Sequence, residues 1–529
     1  MIASVIGSYL DSLEEREFDV PFVSLLRSLG FTNIHFLHGS FEFGKDFIAR
    51  NSRGGPEFQY CFQTKSGDLS LSEWGNCRTQ LDLLRTNSLA HPDFDRELPR
   101  KAVLVTTGRL VGGAALAAQD YRTHLSERKE ADLEVWDRET LVELIAQNPE
   151  SIVPGPIEAK LLELLGEIDQ GKCDETKIEI LSRHWFGSSG DSCKFAVIAS
   201  ILANRLRRNN RLDLASYTAL CLIRGIWSSS HGTAIPDSTS LFLSDAGRNL
   251  FRFYASELMT DARNVGTAPE TVVWANPSAA IHVTYPVRCS RITEIVGLLG
   301  LLNIEEKRRD KDIEGFLVDF FRQNPGTMHP ISDRWAVSLI PPILLLARTN
   351  HVEEVERWLK GVIEWVGNHY DNQGPGLSSV YSKPYDEVEY LLGGAFDHVE
   401  LVRNPSSHIA GVVLDLASLL ALKDLYELAV NDFLAVEALP SIIETDDTGG
   451  QYILGAEGGS LEPNMRYEEK WVPRDGWKLA PHHLRSPDSY YLNRIGKPWD
   501  HLAISAVLRD RHFLPSCRAF ISGDRMPDI

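Results

Sequence analysis

The segment from Phe41 to Lys65 constrains the fold most, because its turn residues exclude one continuous helix. An apolar run begins at Phe47 and is followed by the turn Arg53-Gly54-Gly55-Pro56. Glycine and proline are favoured in turns and disfavoured inside helices and strands. A second run, from Phe58 to Lys65, is rich in the aromatic residues that are typical of strands. The segment therefore predicts a β-hairpin.

Three polar residues of this hairpin are predicted to lie at one edge of a sheet. Asp46 directly precedes the first strand. Side chains alternate between the two faces of a strand, so Gln63 and Lys65, two positions apart, point the same way. A carboxylate that holds a hard divalent cation, next to a lysine that orients a water, suits the hydrolysis of a phosphodiester bond. We interpret the three residues as candidate catalytic residues, with an ordinary solvated strand end as the alternative.

These residues resemble the motif of the PD-(D/E)XK nuclease superfamily, and most closely its Mrr-like restriction branch. In that branch an acidic residue precedes Gly-x-Asp and Gln-x-Lys, which are matched here by Glu42, Gly44-Lys45-Asp46 and Gln63-Thr64-Lys65. The resemblance implies an endonuclease that acts on double-stranded DNA and uses Mg²⁺ or Mn²⁺, held by Asp46 and Gln63. Most of the superfamily has Glu at the position of Gln63, so this site has one anionic ligand fewer.

The flanking sequence offers supporting residues for the same pattern. In related nucleases an acidic residue lies early in the first helix, a position that falls on Asp19, with Glu17 as the nearby alternative. Related nucleases also carry a glutamine on the helix after the motif, and here that residue is Gln80. The alternative interpretations are solvated charges at a helix N-terminus for the two acids and a surface amide for Gln80.

The net charge predicts weak intrinsic affinity for DNA. The chain has 54 Lys and Arg against 73 Asp and Glu, a net charge of −19, and residues 1–150 alone have 16 basic and 23 acidic residues. Binding to a polyanion requires a local cluster of basic residues rather than a basic average. Near the predicted site the candidate DNA-contacting residues are Lys45, Arg50, Arg53, Arg78 and Arg109.

Helical and strand patterns alternate through the N-terminal part of the chain. The order helix, strands, helix, strand, helix, strand, helix predicts a three-layer α/β domain over residues 1–148. The resemblance covers residues 15–148 and implies a restriction-endonuclease-like fold. Prolines at positions 149, 154 and 156 indicate a linker over residues 149–157.

Residues 158–529 have a different texture, with long apolar runs at helical spacing. The pattern predicts a mostly helical region of one or two subdomains, with an irregular part near residues 445–485 that is rich in Gly, Pro and Trp. The longest apolar stretch, Trp335 to Ala347, is interrupted by two prolines and is too short to span a bilayer. Seven cysteines without a C-x-x-C pair, and an N-terminus without an export signal, predict a cytoplasmic protein with reduced thiols.

Two functional classes follow from these observations. The first is a Mg²⁺-dependent endonuclease with a helical sensing or assembly region, and such fusions resemble bacterial anti-phage defence effectors. The second is a catalytically decayed scaffold or nucleic-acid-binding subunit of a defence complex. Asp46 and Lys65 favour the first class, whereas Gln63 and the acidic charge favour the second.

The chain is expected to assemble with other chains. A protein with one active site per chain cuts both strands of a duplex most readily when two nuclease domains are held together. We expect a homo-oligomer, or docking of the helical region on a partner ATPase such as a HerA-type translocase. Light scattering of the full-length chain tests this expectation. A strictly monomeric chain that makes double-strand breaks without a partner would contradict it.

Overall fold

A computed structural model divides the chain into two units, Met1–Lys172 with Gly190–Leu202, and Cys173–Ser189 with Ala203–Ile529. The structure describes residues 2–11, 13, 17–37, 45–52, 55–86, 91–128, 132–148, 151, 156–185, 192–229, 238–265, 281–380, 382, 384–391, 402–440, 497–509 and 514–522. The predicted irregular part at 445–485 and most of the predicted linker at 149–157 lie outside these ranges. The first unit extends to Lys172, past that linker.

The first unit contains a mixed five-stranded sheet. Its strands follow chain order across the sheet: β1 (Thr32–Phe36), β2 (Phe47–Asn51), β3 (Phe58–Lys65), β4 (Arg100–Thr106) and β5 (Asp132–Trp136). The first three strands pair antiparallel, whereas β3, β4 and β5 pair in parallel. The helices of this part of the chain are α1 (Ile2–Asp11), α2 (Asp19–Ser28), α3 (Leu71–Thr86), α4 (Ala114–Glu127), α5 (Arg138–Gln147) and α6 (Pro156–Asp169).

Helices cover both faces of this sheet. On one face Phe22 of α2 contacts the rings of Phe47, Phe62 and Trp136 with centroid distances of 5.3, 5.3 and 6.3 Å. On the other face α3 and α4 pack against a cluster of buried side chains. That cluster includes Ile48, Cys61, Trp74, Cys77, Leu81, Ala102, Leu104, Ala118 and Tyr121. The predicted α/β architecture of the N-terminal part is therefore confirmed.

The hairpin register decides which side chains share a face. Phe47 pairs with Phe62 and Ile48 pairs with Cys61. Directly opposed residues of an antiparallel pair point to the same side, so the phenylalanines face α2, and Ile48 and Cys61 face α3. The backbone N–H of Asp46 donates to the carbonyl of Phe62 at 2.9 Å, which extends the pairing one step beyond β2.

The second unit is mostly helical, as its sequence predicts. Several helices begin at a side chain that accepts a backbone N–H, as Asp174, Asp310 and Ser407 do. Its helices, with one that carries residues of both units, are α7 (Glu175–Ser182), α8 (Ser192–Arg208), α9 (Leu212–Ser229), α10 (Ser238–Val265), α11 (Ile281–Glu305), α12 (Lys311–Gln323), α13 (Ile340–Arg348), α14 (Val352–Tyr370), α15 (Pro384–Leu391), α16 (His408–Leu419), α17 (Lys423–Ala435), α18 (Pro498–Leu508) and α19 (Leu514–Ser522).

Short elements complete this unit. Short 3₁₀ helices lie at Arg183–Trp185, Pro325–Met328, Asp333–Leu339 and Asp371–Gln373. Two short strands, β6 (Ser406–Ser407) and β7 (Leu439–Pro440), pair in parallel. Among the helices that the structure describes, none combines the length and the apolar character needed to cross a bilayer. Six cysteines, at positions 61, 77, 173, 221, 289 and 517, are free and buried.

Candidate active site

Asp46 and Gln63 are brought into direct contact by the hairpin register. Asp46 precedes β2 and lies opposite Gln63, one step beyond the Phe47 and Phe62 pair. The Gln63 Nε2 donates to Asp46 Oδ2 at 2.7 Å. Two residues that lie 17 positions apart in the chain therefore form one polar group at the end of adjacent strands.

The same carboxylate oxygen accepts two further hydrogen bonds from Thr64. The backbone N–H of Thr64 donates to Asp46 Oδ2 at 2.7 Å, and the Thr64 hydroxyl donates to the same atom at 2.9 Å. Hydrogen bonds to an ionised acceptor are among the stronger ones in proteins. These bonds fix the position of the Asp46 carboxylate against the end of β3.

The other end of the Gln63 amide is buried without a partner. The side chain is 2% exposed, and its Oε1 makes no hydrogen bond within the part of the chain that the structure describes. Because Nε2 donates to Asp46, the unpartnered atom is a carbonyl oxygen, which is an acceptor for a cation or a hydroxyl group. A buried polar atom without a partner costs about 1–3 kcal/mol, so this arrangement is one that folding alone does not favour.

Lys65 lies on the same face as Gln63, at the last position of β3. Burial raises the pKa of the Cys77 thiol on α3, while Lys65 acts to lower that pKa and both Glu73 and Asp46 act to raise it. Lys65 and Asp46 are thus near enough to one point on α3 to affect the same thiol. The structure therefore brings Asp46, Gln63 and Lys65 to the face of the sheet that α3 covers, at the adjacent ends of β2 and β3.

Two backbone segments form the rim beyond Lys65. Gly67 donates its N–H to Thr107 Oγ1 at 2.9 Å, and Thr106 Oγ1 donates to the Gly67 carbonyl at 2.6 Å. A Cβ atom on Gly108 would lie 2.1 Å from the carbonyl carbon of Gly67, so the two segments meet backbone to backbone. Only glycine fits at position 108, and the rim is held rigidly relative to β3 and β4.

Lys45 is buried rather than exposed. Its side chain has no exposed surface, and its Nζ donates to the carbonyl of Leu83 on α3 at 3.5 Å. Burial lowers the pKa of Lys45 to about 8, with nearby Cys61 acting to raise it and Arg100 acting to lower it. An ammonium without exposed surface does not contact a phosphate backbone at the protein surface, which removes Lys45 from the candidate DNA-contacting residues.

The remaining basic candidates are tied to the first unit to different degrees. Arg50 donates to the backbone carbonyl of Asp93 at 2.8 Å. The Arg78 guanidinium lies 5.2 Å from the centre of the Tyr121 ring. Arg109 pairs with Glu139 at 2.7 Å, with both side chains more than half exposed. Arg53 lies outside the described residues.

The supporting candidates have mixed placements. Asp19 is half-buried in the first turn of α2, whereas Glu17 is exposed just before that helix. Gln80 is half-buried on α3, the helix that covers the site face. Glu42 lies outside the described residues.

Two polar features were not predicted from the sequence. Thr64 donates twice to Asp46, although strand alternation would place its side chain opposite to that of Gln63. His35, His91 and Asp93 lie together, with ligand atoms within 4.8 Å of one another. The short H-x-D spacing at positions 91–93 was the available signal for this cluster, but its third member is 56 residues away in the chain.

No family model matches this sequence, and no curated protein or solved structure is significantly similar to it.

Proposed function

We propose that the first unit is a metal-dependent nuclease of restriction-endonuclease-like fold that hydrolyses phosphodiester bonds in double-stranded DNA. The observation that carries this proposal is the direct contact of Asp46 with Gln63 at 2.7 Å, with Lys65 on the same face of β3. These are the residue types that the Gln-x-Lys motif of the Mrr-like branch requires. Gln63 and Lys65 share a face through strand alternation, and the register of the hairpin adds Asp46 to them.

The arrangement of the first unit supports the same proposal. A helix, a three-stranded antiparallel meander, a second helix and a parallel strand follow one another. That order is the one expected from the resemblance to the PD-(D/E)XK superfamily. The candidate residues lie at the ends of β2 and β3.

The donor set fits a hard divalent cation. Asp46 offers a carboxylate, and Gln63 has a buried carbonyl oxygen that lacks a partner among the described residues; oxygen ligands of this kind suit Mg²⁺ and Mn²⁺. A bound cation would polarise the phosphoryl oxygen and acidify a water. In this proposal Thr64 holds the Asp46 carboxylate in place, and the Lys65 ammonium orients a water or stabilises negative charge that develops on the phosphate.

A second candidate function has one specific observation in its favour. Asp46 Oδ2 accepts three hydrogen bonds, so a cation at that atom must compete with donors already in place. This saturation, together with the excess of acidic residues, suits a decayed nuclease that binds nucleic acid or a protein partner without cutting. The two functions differ in whether a divalent cation is needed for an observable activity.

Cleavage of plasmid DNA by the full-length chain tests the proposal. We expect cleavage with Mg²⁺ or Mn²⁺ and none with EDTA. Lys65→Ala and Asp46→Asn should each lower the rate by about 10²-fold or more, the range typical of losing a group that assists proton transfer. Both residues lie at a strand end rather than in the apolar core, so circular dichroism should report an intact fold.

Lys101→Ala is the matched control for Lys65→Ala. Lys101 lies on the adjacent strand and pairs in register with Tyr60, so it belongs to the opposite face, where it bonds to Glu134 at 3.1 Å. We expect its variant to cleave at the wild-type rate. If Lys65→Ala does the same, the assigned role is wrong. If the wild-type chain binds DNA but never cleaves it, the decayed scaffold is the better function.

A further inference from the structure

The first unit has a second polar cluster, which does not include Asp46, Gln63 or Lys65. His35 belongs to the edge strand β1, and His91 and Asp93 belong to the segment that precedes β4. His35 Nε2 lies 2.9 Å from Asp93 Oδ2, and the two imidazole rings have their centres 4.6 Å apart. One potential ligand atom from each residue lies within 4.8 Å of the other two. Three donors thus converge on one small volume.

The protonation of one ligand is already indicated by its hydrogen bond. The backbone N–H of Asp93 donates to His91 Nδ1 at 3.2 Å. A ring nitrogen that accepts a hydrogen bond carries a lone pair rather than a proton. That lone pair is taken up by the Asp93 N–H, so a metal ion would bind His91 either at Nδ1, by displacing this hydrogen bond, or at Nε2, after that nitrogen loses its proton.

The segment that carries His91 and Asp93 is anchored at Asp93 and at the two residues that follow it. Arg50 on β2 donates to the backbone carbonyl of Asp93 at 2.8 Å and so leaves the carboxylate to His35. Phe94 is 6% exposed in the core. The backbone N–H of Asp95 donates to Gln59 Oε1 at 3.1 Å. The ligand positions are consequently set by contacts that do not depend on a metal.

We propose that His35, His91 and Asp93 bind one divalent transition-metal ion of the zinc class. Two imidazoles and one carboxylate are preferred ligands of Zn²⁺ and Co²⁺, whereas Mg²⁺ favours oxygen ligands. The side chains of His35 and Asp93 are 35% and 43% exposed, so a fourth position is open to water. The ion joins the edge strand β1 to the segment before β4.

This site is separate from the Asp46 group. His35 pairs with Ile48, which lies two residues beyond Asp46 along β2, a separation of about 6–7 Å along the strand. His35 also lies one strand further toward the sheet edge. The metal site therefore does not rest on the proposed nuclease activity, and it can be tested without a cleavage assay.

Titration of the metal-free full-length chain with Co²⁺, followed by visible absorption, tests this site directly. We expect one ion per chain with the spectrum of nitrogen and oxygen ligands, displaced by Zn²⁺, and a higher Tm when Zn²⁺ is bound. His91→Ala and Asp93→Asn should each weaken Co²⁺ binding at least tenfold, since losing even an outer-shell partner has about that effect.

Two residues of the same types serve as matched controls. His124 is exposed on α4, and Asp95 belongs to the same segment as Asp93 but bonds to the Glu97 N–H at 2.9 Å. His124→Ala and Asp95→Asn should bind Co²⁺ like the wild-type chain.

Three results would overturn the metal site. The first is no Co²⁺ uptake by the wild-type chain, which would leave His35 and Asp93 as a simple ion pair. The second is equal Co²⁺ affinity in Asp93→Asn and the wild-type chain, and Asp93→Asn remains informative if His91→Ala does not fold. The third is a cobalt spectrum with thiolate charge-transfer bands, which would assign the ion to cysteine instead.

Discussion

Two buried polar groups, one in each unit, differ in whether their hydrogen-bonding atoms have partners. In the second unit Glu294 is fully buried, and both of its oxygens accept hydrogen bonds from Arg509 at 3.0 Å. Arg291 pairs with the same carboxylate, and the Trp335 ring lies about 5 Å from both guanidinium groups. In the first unit the buried Gln63 leaves an oxygen without a partner among the described residues.

This difference distinguishes the Glu294 carboxylate, which stabilises the fold, from the Gln63 amide oxygen, which is available to bind a ligand. The Glu294 network links α11 to the residue after α18, and its charges are matched by opposite charges. Removing one partner from such a network leaves an uncompensated buried charge. The Gln63 amide joins only two strands that the sheet already pairs, and its free oxygen is a cost to folding. Three substitutions measure this contrast.

Glu294→Ala should have the largest effect on stability. It removes one of the two carboxylates that pair with Arg291 and Arg509, and leaves them with Glu175 alone among the described residues; removing one partner of a buried ion pair typically costs about 3–5 kcal/mol. Urea denaturation followed by tryptophan fluorescence measures the loss. Glu356→Ala is the matched control, because Glu356 is 42% exposed and pairs loosely with Lys360 at 3.8 Å. A loss below about 1 kcal/mol, the range of exposed ion pairs, would contradict the contrast.

Lys45→Met should stabilise the first unit by about 1–3 kcal/mol at pH 7, because a buried ammonium opposes folding. The pKa of Lys45 is lowered from 10.5 to about 8 in the folded chain. Between those values the unfolded chain binds more protons, so the stability of the wild-type chain rises with pH. The advantage of the variant should therefore shrink above pH 8.

Hydrogen exchange of the β2 and β3 amides measures the stability of the first unit in the wild-type chain and in Lys45→Met. The buried thiols, whose raised pKa values oppose stability at high pH, are common to both chains. Lys101→Met is the control, since its partly exposed lysine is paired with Glu134. A gain from Lys45→Met that stays constant from pH 7 to pH 10 would show that packing, not charge, is responsible.

Gln63→Met should have the smallest effect on stability, below about 1 kcal/mol, because the lost bond to Asp46 is offset by removal of the unpartnered oxygen. Gln59→Met on the same strand is the matched control. Gln59 is also buried, but its Nε2 donates to the Ala49 carbonyl and its Oε1 accepts from Asp95, each at 3.1 Å. Urea denaturation should show a loss of about 1–3 kcal/mol for Gln59→Met. Equal losses would remove the distinction between the two amides.

The sequence predicts the local elements of the first unit well because their signals are local. The aromatic run predicts β3 at Phe58–Lys65, and the structure has the same bounds. The period of two in a strand is enough to place Gln63 and Lys65 on one face.

Features that depend on how elements pack were not predicted. Lys45 looks like a surface cation in its Gly-Lys-Asp context, and only the position of α3 over the sheet buries it. His35 on the edge strand β1 and His91 before β4 are brought together by the fold, and no short sequence motif contains both.

The aromatic face of the sheet has a consequence for the fidelity of folding. Phe22, Phe47, Phe62 and Trp136 pack against one another on the α2 side. A slip of one residue between β2 and β3 would turn every side chain of β3 to the opposite face. Such a chain would present Phe62 to α3 and bury Gln63 among aromatic rings. The packing of these rings therefore selects the native register of β2 and β3, and in that register Gln63 lies beside Asp46.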